Sequence, residues 1–282
     1  MRWSVSEYSK ALQYYSEYPE VLVEATDDAV LELIRFCETE NEKKLLDSMM
    51  SDFSKNILNE DEANKYIMQM AREIGQKNYP RDTTAIVAMG FDTEVDGSQE
   101  VLNQLKVPLA INKVFFKTTE TRFAFIERLH KKGIRHFIVV DDFIGSGKTV
   151  RSRYNKFLSW GYNDSSIDFF FLAGMNKAMS FCKNYGIPAH CALKMRKALS
   201  GNYEREDLLW RIRAMRSLES KLAPQVGDTL LKDNNFGYNH AEALYCRKYG
   251  NIPNSVFPIF WWKQYKDGSP RSPLFVRVQH GY

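Results

Sequence analysis

The sequence is poor in the residues that mark several large enzyme classes. Its four cysteines, Cys37, Cys182, Cys191 and Cys246, lie far apart and form neither a CxxC pair nor a Cys/His set with zinc spacing, so buried free thiols are expected. No stretch approaches the roughly 20 uninterrupted apolar residues that a membrane helix needs. The first residues, MRWSVSEYSKALQYY, lack the apolar core of a signal peptide, and the expectation is a cytoplasmic protein with no membrane contact. HExxH, GxSxG and GxGxxG are all absent. That absence leaves a zinc peptidase, a serine hydrolase and a dinucleotide enzyme without support. Charge of one sign is also scarce, since 39 basic against 35 acidic residues leave only +4. Such a balance permits an anionic ligand and does not argue for nucleic acid. Neither an internal repeat nor a low-complexity linker interrupts the chain.

What is present suffices for a folded core, with 44% hydrophobic residues over 282 positions. Up to about Gly75 the apolar residues recur at helical spacing. Ala29, Val30, Leu33 and Ile34 form one stripe, Leu45, Met49 and Phe53 a second, and Ala63, Tyr66, Ile67, Met70 and Ala71 a third. Thr26-Asp27-Asp28 and Asn59 to Glu62 supply capping groups and acids where helices begin. At Thr83 the period changes. TTAIVAMGF reads as a buried strand, SQEVLNQLK as a helix, INKVFFKT as a strand and ETRFAFIERLHKKG as a helix closed by Gly133. HFIVVDD then reads as a strand, TVRSRYNKFLSWG as a helix, SIDFFFLAG as a strand and KAMSFCKNYG as a helix. This alternation from about 83 to 186 predicts an α/β fold, a mostly parallel sheet with helices on both faces. Beyond 186 it fails, leaving one charged helix from Glu204 to Leu222 and an irregular, proline-rich aromatic C-terminal tail. The domains expected are an N-terminal helical region, 1–78, and an α/β domain with its C-terminal extension, 79–282.

The segment FIVVDDFIGSGKTV, residues 137–150, carries the chemistry. GSGKT suggests an ATP-binding P-loop, but that loop needs Gly-x4-Gly-Lys-Ser/Thr, and the first glycine position holds Asp142. Lys148-Thr149 alone keep the ATPase reading open. A sugar phosphate fits better. An apolar strand would deliver Asp141 and Asp142 to the carboxyl edge of the sheet, where open α/β folds bind ligands. Two adjacent carboxylates can accept hydrogen bonds from vicinal ribose hydroxyls and hold magnesium through water. Gly145, Ser146, Gly147, Lys148 and Thr149 then lead into a helix, offering backbone N–H groups, hydroxyls and a positive helix end to a monophosphate. A diol site beside a phosphate site describes a 5-phosphoribosyl group.

VVDDFIGSGKT resembles the phosphoribosyl pyrophosphate motif of type I phosphoribosyltransferases, with Gly145 in place of the more usual threonine. The resemblance implies Mg2+ as cofactor and a phosphoribosyl pyrophosphate or related phosphorylated nucleotide as ligand. It also implies glycosyl transfer or N-glycosidic cleavage at the anomeric carbon. By the same resemblance AIVAMGFDTEVDGSQEV holds pyrophosphate at Gly90 and Asp92, under a basic hood of Lys113, Lys117 and Arg122. That loop carries Asp92, Glu94 and Asp96 and no base. Three readings stay open: a metal offsets the repulsion, the ligand or chemistry differs, or the loop is simply solvated.

The C-terminus, NNFGYNHAEALYC, IPNSVFPIFWW and SPLFVR, is similar to the tail of phosphoribosyltransferase-like effectors of bacterial conflict systems. Phe236, Gly237, Glu242, Pro253, Asn254, Pro258, Trp261, Pro273, Leu274, Phe275 and Arg277 carry it, and Ser255 departs from the usual second asparagine. It covers about residues 80 to 280. The resemblance implies an anti-phage toxin of the retron type, restrained by a reverse transcriptase with its RNA-linked DNA and an accessory protein. Asn254, Trp261 and Glu242 are the candidates for an acceptor pocket, and a plain aromatic cover over the sheet edge is the alternative. Trp261 and Trp262 cannot both point inward on a strand. The other class of function that stays open is a non-catalytic sensor of a phosphorylated nucleotide. His136, His240 and the mixed-charge run from Arg196 to Ser217 are weaker signals, the last expected as an ordinary solvated helix.

Overall fold

Thr84–Ala88 form a strand, β1, in which every residue is buried, as the apolar run TAIVA requires. The computed structural model describes residues 4–90, 97–114, 116, 118–248 and 250–278. Four further strands, β2 (Thr118–Glu120), β3 (His136–Ile144), β4 (Ser166–Met175) and β5 (Ala189–Met195), join β1 in one sheet of order β2-β1-β3-β4-β5. All pairings are parallel. β3 and β4 are near-continuous apolar stretches because helices cover both faces of a parallel sheet.

The helices of this unit, Glu60 to Met195, are α1 (Glu60–Gln76), α2 (Gly97–Ile111), α3 (Ile126–Lys131), α4 (Lys148–Ser159) and α5 (Asn176–Asn184). β1 connects through α2 to β2 at one edge, and every later connection steps the other way. Right-handed crossovers therefore set α2 on one face and α3, α4 and α5 on the other. α1 packs beside α2. The strand order reverses between β1 and β3, and in open parallel sheets ligands bind at the carboxyl ends of the strands at such a point.

Two strands differ from the sequence reading. INKVFFKT was expected as a strand, but α2 runs on through Pro108 to Ile111, and Val114 donates to the Leu109 carbonyl (2.9 Å) as the helix closes. The edge strand is only Thr118–Glu120, with its side chains partly exposed. β5 was missed entirely. It too lies at an edge and buries only Cys191 and Met195, so no apolar run announces it.

The chain's two ends, up to Asn59 and from Arg196 onward, form a second compact unit. Helices Val5–Glu17, Asp27–Phe36, Glu40–Ser54 and Arg205–Ser220 supply most of its regular structure, and Ile57–Leu58 pair in parallel with Cys246–Arg247. Ser4 and Glu7 close a capping box on the first helix, and Thr39 and Glu42 on the third. Phe53 packs against Phe260 and Phe275, at ring-centroid distances of 5.3 and 5.0 Å.

Glu219 in helix 205–220 is buried and accepts a hydrogen bond from the Phe236 N–H (2.7 Å). Burial pushes its carboxyl pKa up to about 8, against the smaller opposing effects of that hydrogen bond and of Arg216. The folded state thus keeps a proton that the unfolded chain gives up near the ordinary carboxylate range. Stability is expected to fall as pH rises from about 5 to 8, by at most roughly 1.4 kcal/mol per pH unit. Urea unfolding across that range should show this slope in the native chain and its loss in Glu219→Gln. Parallel profiles would refute it.

Candidate functional site

β3 carries Asp141 and Asp142 while still paired with β4, since Asp141 stands opposite Phe171, Phe143 opposite Ala173 and Ile144 opposite Gly174. Only Gly145 to Gly147 turn before α4 begins at Lys148. A P-loop needs a longer free arc around its anion, so the geometry speaks against an ATPase loop. Gly147 takes the left-handed conformation (φ 80°), and a Cβ there would stand 2.8 Å from the Phe181 ring, so glycine is required on both counts. The Lys148 N–H at the start of α4 donates to Ser146 Oγ (3.4 Å). The helix then carries Lys148, Arg151, Arg153 and Lys156 and no acid, which adds to the positive potential of its first turn. Arg151 stacks over Tyr185 (3.9 Å), and Tyr185 packs on Phe181 (4.6 Å), so α5 buttresses the turn.

The Asp141 carboxylate accepts from the Asp142 N–H (2.9 Å). That of Asp142 lies against the first residue of α2, within 2.7 Å of where a Cβ at Gly97 would be. β1 brings Gly90 to the same edge, with Met89 donating to the Val140 carbonyl (3.0 Å). The Gly90 N–H donates to Ser98 Oγ (3.0 Å), and its carbonyl accepts from Phe123 N–H (2.8 Å). One edge of the sheet thus assembles Gly90, Asp141, Asp142 and residues 145–149 at the reversal point, the place where such folds bind ligands. Gly97, Ser98 and Phe181 were not singled out from the sequence. Their role is one of close approach, for which a Gly-Ser pair at a helix start is the only trace.

The PRTase-CE family matches residues 18–277. The chain belongs to that family. Solved structures similar to this PRTase-CE chain include a hypothetical protein from Neisseria gonorrhoeae with bound ppGpp (14% identity, 57% of this chain and 94% of that one, TM-score 0.36). Others are a xanthine-guanine-hypoxanthine phosphoribosyltransferase from Helicobacter pylori (14%, 49% and 84%, 0.33) and an orotate phosphoribosyltransferase from Aeropyrum pernix (14%, 45% and 68%, 0.32). These are distant likenesses. No curated protein matches the chain.

Not every expected site residue of the PRTase-CE chain comes to this edge. Lys113 follows the far end of α2, with about 20 Å of helix separating it from Gly97. A crossover helix must return to the amino edge before the next parallel strand starts, and Lys113 goes with it. Asp92 and Lys117 lie outside the described residues. Asp168, with His190 Nε2 at 3.5 Å and Lys77 Nζ at 4.0 Å, forms a polar cluster near the amino end of β4, away from the site.

The tail residues belong to the other unit, where each has partners of its own. The Glu242 carboxylate accepts from Leu199 N–H (3.1 Å), Ser200 N–H (2.7 Å), Ser200 Oγ (2.8 Å) and Lys197 Nζ (2.6 Å). Trp261 and Trp262 are both buried, because a 3-10 turn at Pro258–Phe260 precedes them instead of a strand. Trp261 donates its indole N–H to the Val256 carbonyl (2.9 Å). The Asn254 carbonyl accepts from Tyr238 N–H (2.8 Å). These contacts tie Glu242 and Trp261 into the packing of that unit. Among the described residues no helix is long and apolar enough to cross a membrane.

Proposed function

We propose that the chain binds a 5-phosphoribosyl ligand between the carboxyl ends of β1 and β3 and acts at its anomeric carbon. The observation that carries this reading is β3 itself, which brings Asp141 and Asp142 to its carboxyl end and turns through Gly145 to Gly147 into the basic helix α4. Asp141 and Asp142 accept the ribose hydroxyls, and residues 145–149 hold the 5-phosphate. Leaving-group departure at the anomeric carbon passes through an oxocarbenium-like state, for which positioning and charge stabilisation suffice without a strong nucleophile.

The two carboxylates suit magnesium as hard oxygen donors at an open edge. No group of three or more His, Cys, Asp or Glu among the described residues could cage a metal alone. Magnesium is commonly held by one or two carboxylates together with ligand oxygens and water. Bound there, magnesium would supply charge neutralisation for the departing group.

The tail resemblance supports a biological setting, a toxic effector of a bacterial anti-phage system of the retron type. In this setting the cytoplasmic chain is restrained by a reverse transcriptase bearing RNA-linked DNA, with an accessory protein. Growth arrest by the chain alone, relieved by co-expressing that partner, is the expected result, and equal growth in both would sink it. A sensor without turnover is the second reading, favoured by the Gly90 N–H being already bound to Ser98. To separate the two, purified chain is incubated with phosphoribosyl pyrophosphate or nucleoside 5′-monophosphates and Mg2+, and released pyrophosphate or free base is measured. Release supports catalysis. Saturable binding without release supports the sensor.

A further inference from the structure

We propose that the outer face of α4 and α5 is a docking surface for the sugar-phosphate backbone of a nucleic-acid duplex, bound without regard to base sequence. The proposal does not depend on the phosphoribosyl reading. The chain's net charge of +4 is unevenly spread. Helices α4 and α5 together carry Lys148, Arg151, Arg153, Lys156, Lys177 and Lys183 and no acid. Among the described residues, every other helix of eight or more residues carries at least one acid. The two helices are also neighbours, since Arg151 of α4 stacks over Tyr185 at the end of α5 (3.9 Å), and a Cβ at Gly147 would stand 2.8 Å from Phe181. Lys148 and Arg153 have partners within the chain. Arg151, Lys156, Lys177 and Lys183 are exposed, and among the described residues none of the four has a carboxylate within ion-pair distance. The two acids between the helices are taken elsewhere, Asp164 by Arg135 (2.6 Å) and Asp168 beside His190 (3.5 Å). A bound polyanion would relieve the mutual repulsion of these cations.

The residues around the cations say which polyanion. Ser152, Asn155 and Ser159 on α4 and Asn176, Ser180 and Asn184 on α5 share the exposed positions, with Leu158 the apolar exception. Lysine, arginine, serine and asparagine are the side chains from which nucleic-acid phosphates take most of their hydrogen bonds. A membrane-binding face would set a band of apolar side chains beside the bases. A protein-binding face would be depleted in lysine and serine. Single strands are held by aromatic rings offered to the nucleobases. Tyr185, the exposed ring here, is instead engaged by Arg151 and by Phe181 (4.6 Å), and so holds the guanidinium in place. The chemistry that remains is contact with the phosphates of a duplex.

Fluorescence anisotropy of the full chain with a labelled DNA duplex of arbitrary sequence, in KCl from about 50 to 200 mM, tests the proposal. With about four phosphates neutralised, affinity should fall about a hundredfold across that range. The triple variant Lys156→Gln, Lys177→Gln, Lys183→Gln should bind at least about tenfold more weakly at the low salt, and its fall across the range should shrink to about fourfold. The control triple Lys65→Gln, Lys106→Gln, Lys113→Gln removes the same charge from exposed positions on or next to α1 and α2, and should keep the native affinity and salt dependence. Circular dichroism should be native-like for both, because every substituted side chain is exposed. A single strand of the same sequence and vesicles of phosphatidylserine and phosphatidylcholine complete the comparison, and both should bind more weakly than the duplex. Four results would each overturn the proposal. They are a native fall under about tenfold, a triple variant with the native salt dependence, an equal loss in the control, and tighter binding to the single strand or the vesicles.

Discussion

Replacing Asp141 and Asp142 together by asparagine is expected to weaken sugar-phosphate binding about a hundredfold or more, the loss of two charge-assisted hydrogen bonds at roughly 1.5 kcal/mol or more each. The amide keeps the shape of the carboxylate and one acceptor oxygen. An amide oxygen at position 141 can still receive the backbone N–H that Asp141 takes from residue 142, and the side chain beside Gly97 keeps its volume. The fold should therefore survive, as circular dichroism and urea unfolding would show, while the diol loses its anionic acceptors. Growth arrest should disappear with binding. Full toxicity or undiminished calorimetric binding in the double variant would sink the assignment of these carboxylates. Lys148→Ala provides the contrast. An ATPase loop would lose ATP hydrolysis in that variant, whereas the turn described here binds through backbone groups and the helix end and should lose only part of its phosphate affinity.

Much of this unit was legible because its signals are local. β1, β3 and β4 are apolar runs between glycine, proline and charged punctuation, and a parallel strand buried on both faces has no other way to look. The Asp pair and the glycine turn follow β3 in one continuous stretch, so sequence order alone puts them at the carboxyl edge. What was not legible depends on neighbours. The edge strand β2 buries none of its three residues and was expected earlier, over INKVFFKT, while β5 buries only Cys191 and Met195 and was not read as a strand. Gly97 and Ser98 read only as the start of a helix until Asp142 and Gly90 are brought against them. In the tail the residue types were visible but their partners were not. Glu242 meets Lys197 and Ser200, and Gly237 meets Ser255, only when distant stretches fold together.

Gly237 shows what that long-range packing demands. Its φ of +76° lies in the left-handed region, where an L side chain costs roughly 1–2 kcal/mol. A Cβ there would also overlap the Ser255 carbonyl oxygen, which is backbone and cannot rotate away. The same oxygen accepts from Ala243 N–H (3.1 Å), and the adjoining Asn254 carbonyl accepts from Tyr238 N–H (2.8 Å). Pushing Ser255 back therefore strains both bonds and pulls on Glu242, whose buried carboxylate is costly once separated from Lys197 and Ser200. Gly237→Ala is expected to destabilise the chain by about 3 kcal/mol or more. Gly133→Ala isolates the conformational part, because Gly133 has φ +92° with nothing within 4 Å of its Cβ position. It should cost only about 1 kcal/mol. Urea unfolding of the two variants beside the native chain gives the difference directly. If both lose the same amount, the Ser255 carbonyl yields without cost, and Gly237 is required for its dihedral angle alone.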